Sequence, residues 1–156
     1  MASPNQTSSP TEPSLHRTPE NPGHLLAARA VDAMANKKAS DVTVIDLRDV
    51  SSMADFFVLG TGESDRQVKA IANGIMDHIE TECEERPWKR EGMDHYRWVL
   101  LDYVHVVVHV FLPSKRDHYR IERLWGEAES EKIPEDGDAS DLSLLQELLQ
   151  TSPDAA

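Results

Sequence analysis

The sequence predicts an α/β protein, a mixed sheet of about five strands packed by helices. Two observations carry that expectation. Segments with a helical apolar repeat alternate with apolar or alternating strand-like runs, in the order α-β-β-α-β-β-β-α. The 156 residues also suffice for one hydrophobic core, while an apolar content of 39% leaves part of the chain outside it.

Each element has a local reason. Residues 1–23 hold five of the nine prolines and no hydrophobic repeat, the composition of a disordered arm. They lack the apolar core of a secretory signal, and Arg17 beside Glu12 and Glu20 does not make a transit peptide. Residues 24–38, "HLLAARAVDAMANKK", put Leu26, Ala30, Val31 and Met34 on one helical face, with lysines at the end that the helix dipole favours. "DVTVIDLRDV" and "DFFVLGTG" read as strands, the second ending in a glycine turn.

The next helix is "SDRQVKAIANGIMDHIETEC". Ser64 and Gln67 have capping-box spacing, and Val68, Ile71, Ala72, Ile75, Ile79 and Cys83 recur at helical intervals. Pro87 ends it, "PWKREGM" gives a short strand and turn, and "WVLLDYVHVVVHVF" reads as a strand pair. Pro113 then breaks the sheet, and Ser114 can cap a last helix carrying Ile121, Leu124 and Trp125 on one face. The expected domain is therefore 24–126. Residues 127–156 are expected to be an acidic tail holding one short amphipathic segment, "DLSLLQELLQ", of marginal stability alone.

The net charge of −12 is unevenly placed. From Gly126 onward nine acids face Lys132 alone, whereas residues 24–125 hold 14 bases and 17 acids. The expected domain is nearly balanced, so a basic groove tracking phosphates is not indicated, and little direct nucleic-acid contact is expected. An acidic molecule attracts basic partners, ribosomal proteins among them. No run approaches the roughly 20 apolar residues that span a bilayer. The lone Cys83 excludes an intramolecular disulfide and fits a reducing compartment. A cytoplasmic protein is expected.

Residues 98–111 carry the functional question. If the chain turns at Val104-His105, one face presents Val99, Leu101, Tyr103, Val106, Val108 and Val110. The other presents Trp98, Leu100, Asp102, Val107, His109 and Phe111. The first is ordinary core. The second mixes aromatics with an acid and an imidazole, a poor core but a suitable docking face. The alternative is a sheet covered on both sides, in which Asp102 and His109 are satisfied buried groups.

Other chemistries find less support. His105 and His109, four residues apart on a strand, lie roughly 13 Å apart, too far to share one ion. His95 and His118 read as solvated surface. "GTGESDRQ" could cradle a phosphate at a helix N-terminus, but lacks both a following Lys-Ser/Thr and the third glycine of a dinucleotide fingerprint. A tight turn feeding a capped helix explains it. Ser64 sits outside any nucleophile elbow, and Cys83 lies on an apolar stripe where a thiol is packing. No metal or cofactor is expected.

Taken together, "DFFVLGTGESDRQVKAIA", Glu91-Gly92, "WVLLDYVHVVVHVFLP" and "RIERLWG" resemble, in order and spacing, the ribosomal silencing factor (Iojap-like) family. The resemblance spans residues 24–126. It implies a domain related to nucleotidyltransferases that binds large-subunit ribosomal protein L-fourteen, blocks subunit joining and lowers translation when nutrients are scarce. Carried over by motif, the docking residues are Trp98, Leu100, Asp102, Tyr103, His109 and Phe111, with Leu124 and Trp125 bordering or supporting them. Asp102 would meet a basic group of the partner. The strand pattern puts Tyr103 on the opposite face from Trp98, in conflict with that set.

The family usually has Gly-Asp in the hairpin turn where this chain has Val104-His105, and β-branched Val resists the positive φ that such turns favour. The nucleotidyltransferase relation also raises an enzyme reading, with a nucleotide at the Gly60–Asp65 loop. That chemistry needs two acids on one strand face to hold divalent metal, and the i+2 neighbour of Asp102 is Val104. A non-enzymatic binding protein is expected, with a homodimer plausible for such a sheet.

Overall fold

The computed structural model describes residues 22–145. Helix α1 (Pro22–Asn36) leads into strands β1 (Ser40–Asp46) and β2 (Phe56–Thr61), then α2 (Asp65–Cys83). Strands β3 (Lys89–Glu91), β4 (Trp98–Asp102) and β5 (Val106–Phe111) follow, then the short helices α3 (Pro113–Tyr119) and α4 (Ile121–Leu124). A further strand, β6 (Glu129–Lys132), and a 3-10 turn (Ala139–Asp141) come next, and residues 143–145 are helical. The expected arm falls on residues 1–23, of which 1–21 lie outside the described residues; Pro22 already opens α1.

The six strands form one mixed sheet in the order β3-β4-β5-β2-β1-β6. Only β2 and β5 pair in parallel; the remaining neighbours are antiparallel. That central pair is buried along its whole length, as strands covered on both faces must be. The α/β class holds, with one more strand than the apolar pattern predicts.

Two cores lie on opposite faces. The larger joins Val42, Val44, Phe56, Val58, Val99, Leu101, Val108 and Val110 to the apolar faces of α1 and α2. Ala27, Ala28, Ala30 and Ala33 bring α1 close to its neighbours, and Met34 is fully buried. The smaller core joins Ile45, Leu47, Phe57, Leu59, Val107 and Phe111 to Ile121.

The helix ends refine the sequence reading. Ser64 caps α2 by accepting from the Gln67 N–H at 3.1 Å, while Gln67 Oε1 accepts from the Glu63 N–H at 2.7 Å rather than from Ser64. The lysines expected at the end of α1 fall just beyond it. Ser114 caps nothing: Leu112 is the N-cap of α3 and Pro113 its first helical residue. The single last helix is instead two, broken at Arg120 with φ 49°.

The region after Gly126 differs most from expectation. Strand β6 pairs with β1, so the sheet gains an edge from a charged segment with no apolar alternation to announce it. Beyond it Ile133, Ala139, Leu142 and Leu145 join the larger core. Two carboxylates fasten this stretch: Asp32 accepts from the Ala139 N–H at 3.1 Å, and Glu131 from the Leu144 N–H at 2.9 Å. Of "DLSLLQELLQ", residues 141–145 pack on the domain and 146–150 lie outside the described residues.

Candidate docking face on strand β4

Strand β4 is where the second face of the sheet opens. Its odd positions, Val99 and Leu101, are fully buried beneath the helices, whereas Trp98, Leu100 and Asp102 are half-exposed. The reason is topological: α3 and α4 cover β5 and β2, and β4 lies one strand further out, beside the fully exposed β3. The register pairs Trp98 with Phe111, Leu100 with His109 and Asp102 with Val107, the face division that a turn at Val104-His105 requires.

Aromatic side chains organise this face. The Trp98 ring lies 4.7 Å from Tyr119, 5.6 Å from Phe111 and 6.0 Å from His109, between centroids. Phe57 continues the cluster, 4.8 Å from His109 and 5.8 Å from Trp125. The Trp98 indole N–H donates to His109 Nδ1 at 3.2 Å. Nδ1 is then the acceptor of a neutral imidazole, with its proton on Nε2, which has no partner among the described residues. Burial, reinforced by the charge of Arg116, holds His109 at about 4, well below its ordinary 6.5.

Arg116 fixes the helices over this face. The residue is only 8% exposed, and its guanidinium donates to Glu122 Oε2 at 2.6 and 2.9 Å, to the Asp41 carbonyl at 2.7 Å, and to the hydroxyls of Thr61 and Thr43. It also lies 5.6 Å from the Phe111 ring. One side chain thus ties α3, α4, β1 and β2 together. Sequence reasoning missed it, because an arginine in "PSKRDHYR" reads as one more surface base.

The predicted site residues divide accordingly. Trp98, Leu100 and Asp102 share the half-open row. Leu124 is 75% exposed, and Trp125 is half-buried against the smaller core. Trp125 thus shares the smaller core with the buried Ile121, whereas Leu124 points away from it. His109 and Phe111 are on the expected side of the sheet but beneath the surface, at 4% and 0% exposure. They support Trp98 from below and cannot themselves meet a partner. Tyr103 is a correction: it is buried in the larger core on the opposite side, where burial and nearby Cys83 and Glu85 raise its hydroxyl well above the usual range. Tyr119, 44% exposed and tilted against Trp98, was not anticipated. It ends α3, a position that an unbroken helix would have turned elsewhere.

The hairpin tip shows how the chain accommodates Val104. Its φ is 77°, and the His105 N–H donates to the Tyr103 carbonyl at 2.9 Å, a γ-turn. Asp102 Oδ1 accepts the Val104 N–H at 2.8 Å. Asp102 is therefore first a turn-holding acceptor. A non-glycine residue in so sparsely populated a region costs on the order of 1–3 kcal/mol.

The Gly60–Asp65 loop has a packing explanation. A Cβ on Gly60 would lie 2.7 Å from Met34 Sδ, and one on Gly62 would lie 3.0 Å from the Val68 backbone N. The amides of Glu63 and Gln67, which a phosphate would want, are taken by Gln67 and Ser64. His95 and His118 are exposed, and Cys83 packs half-buried against the larger core with its thiol pushed up to about 11, chiefly by burial. Among the described residues no helix is long and apolar enough to cross a membrane.

Residues 19–153 match the family model described as ribosomal silencing factor during starvation. The chain belongs to the ribosomal silencing factor family. It is 44% identical to the ribosomal silencing factor RsfS of Bacillus subtilis over 103 residues, 66% of this chain and 84% of that protein. The RsfS of Zymomonas mobilis is 34% identical over 140 residues, 90% of this chain and 97% of its own. Among solved structures, a Chromobacterium violaceum protein superimposes with a TM-score of 0.63 at 37% identity, covering 65% of this chain and 84% of that one. The Zymomonas match and the family model both run past Gly126, in keeping with the packed position of β6 and Leu142.

Proposed function

We propose that this silencing factor binds the large ribosomal subunit through ribosomal protein L-fourteen and, by occupying the space, prevents the small subunit from joining. Translation is thereby repressed when nutrients are scarce. The reading rests on one observation beyond family membership: a half-open row on β4, Trp98-Leu100-Asp102, left uncovered beside the exposed Tyr119 and Leu124. An amphipathic aromatic locked in place from below is the kind of group that anchors an interface. The indole hydrogen bond and the tilted ring contacts with Phe111 and Tyr119 fix Trp98 before any partner arrives, which lowers the entropy lost on binding.

Nothing in this mechanism is transformed. Leu100, Leu124 and Tyr119 supply apolar area around Trp98, and the second carboxylate oxygen of Asp102 is directed to a basic group of the partner. The Gly60–Asp65 loop serves the fold, and a role in nucleotide transfer finds no second carboxylate on the Asp102 strand face. The direct test is sedimentation of purified protein with separated subunits. Comigration with large but not small subunits is expected, and loss of comigration when the large subunit is stripped of L-fourteen. Binding that persists without L-fourteen would refute the assignment of the partner.

A further inference from the structure

A cavity of about 400 Å³ opens where α3 and α4 meet the outer strands β1 and β6. The buried Thr43 and Arg116 line it from within. The rest of its wall is charged: Arg120, Arg123 and Lys132 stand with Asp41, Asp117 and Glu122. The chain carries −12 overall, yet here four bases meet three acids.

Pairing within the cavity is uneven. Arg116 donates twice to Glu122 Oε2, and Lys132 holds Asp41 at 2.7 Å. Arg120 donates only through Nε, to the Asp117 carbonyl at 3.1 Å, so its two Nη groups are unbonded among the described residues. The Arg123 guanidinium and the Asp117 carboxylate have no partner there either. A buried guanidinium stripped of its carboxylate is costly, so Glu122 stays with Arg116 and cannot neutralise its neighbours. Two open guanidiniums therefore stand against one open carboxylate.

We propose that Arg120 and Arg123 bind a phosphate group in this cavity. The excess of one positive charge matches a phosphodiester, and planar guanidiniums suit its two free oxygens. A volume of about 400 Å³ is more than a side-chain carboxylate needs, and no aromatic ring lines it on which a base could stack. The feature recognised is thus the phosphate and not the nucleobase. RNA backbone is the source that the single excess charge favours; free inorganic phosphate is the more highly charged alternative. The near-balance of charge along residues 24–125 conceals this spot, because a count does not tell which charges are already paired. The site stands apart from the row on β4 and does not depend on it.

NMR of the arginine Nε–H groups in the full chain tests this, at roughly 10 mM salt where screening is weak. RNA of arbitrary sequence should shift Arg120 and Arg123 to saturation while leaving Arg66, Arg90 and Arg97, exposed arginines elsewhere, in place. Saturation of the same pair by inorganic phosphate alone would uphold the site and make a free anion its source. Arg123→Gln removes no contact within the fold and should weaken the titration seen at Arg120 about tenfold. Equal shifts at all five arginines would overturn the proposal, since general attraction would explain them. A polyglutamate peptide that moves the pair as well as RNA does would also overturn it, in favour of an acidic protein. So would resonances that neither phosphate source moves.

Discussion

Replacing Trp98 separates the two roles that the structure gives it. Trp98→Ala removes a half-buried ring tilted against Phe111 and Tyr119 and also deprives His109 Nδ1 of its donor. Full removal of a buried tryptophan costs about 3–5 kcal/mol, so half-burial accounts for roughly 2. An acceptor left buried without a partner adds about 1 kcal/mol or more, because His109 is only 4% exposed. The expected destabilisation is about 3 kcal/mol, leaving a domain of ordinary stability folded at 25 °C. Trp98→Phe retains most of the ring contacts and loses the donor alone, for about 1 kcal/mol. Denaturant melts measure these values, and titration of large subunits with folded protein measures the second role. There Trp98→Ala should lose about 2 kcal/mol or more, roughly thirtyfold, and Trp98→Phe only severalfold. Undiminished binding by the folded Ala variant would refute the anchor role and make Trp98 core alone.

Other expectations are as concrete. A chain ending at Gly126 should fail to melt cooperatively by circular dichroism, because it loses β6 and the burial of Ile133, Leu142 and Leu145, each worth about 1.5–3 kcal/mol; a melt matching the full chain would contradict the packed position of that segment. Stability should also fall as pH drops from 6.5 to 4. His24 and His109 are both held at about 4 in the fold, chiefly by burial, so between those values the unfolded chain binds more protons. Each contributes up to about 3 kcal/mol across that window. His109→Gln should flatten the pH dependence of the denaturant midpoint by about one proton, and an unchanged slope would mean that His109 does not titrate as its burial requires.

Much of this fold was legible in the sequence because its period was. The α2 stripe from Val68 to Ile79 is buried as its spacing predicts, and the two faces of residues 98–111 separate as alternation predicts. Alternation assigns a side but not a depth. It placed His109 and Phe111 correctly on the Trp98 face, yet only the positions of α3 and α4 decide that these two are covered while Trp98 and Leu100 are not. For the same reason Trp98 is neither pure core nor pure surface. The strand β6, "ESEK", carries no apolar pattern at all, because an edge strand exposed at all but Glu131 needs none. Acidity there was mistaken for a solvated tail, although Glu131 spends its carboxylate on the amides of Ser143 and Leu144. Arg120 broke the last helix through a positive φ that nothing in its residue type announces.

Inhibition as proposed is steric: a bound domain would deny the small subunit its place. Separated ribosomal subunits can be brought to associating magnesium concentrations with increasing amounts of this protein, and joining followed by light scattering. The signal for joined ribosomes should fall in step with occupancy of the large subunit, with the Trp98→Ala chain displaced to about thirtyfold higher concentration. Unchanged joining at saturating occupancy would contradict the mechanism even with the docking face correctly placed.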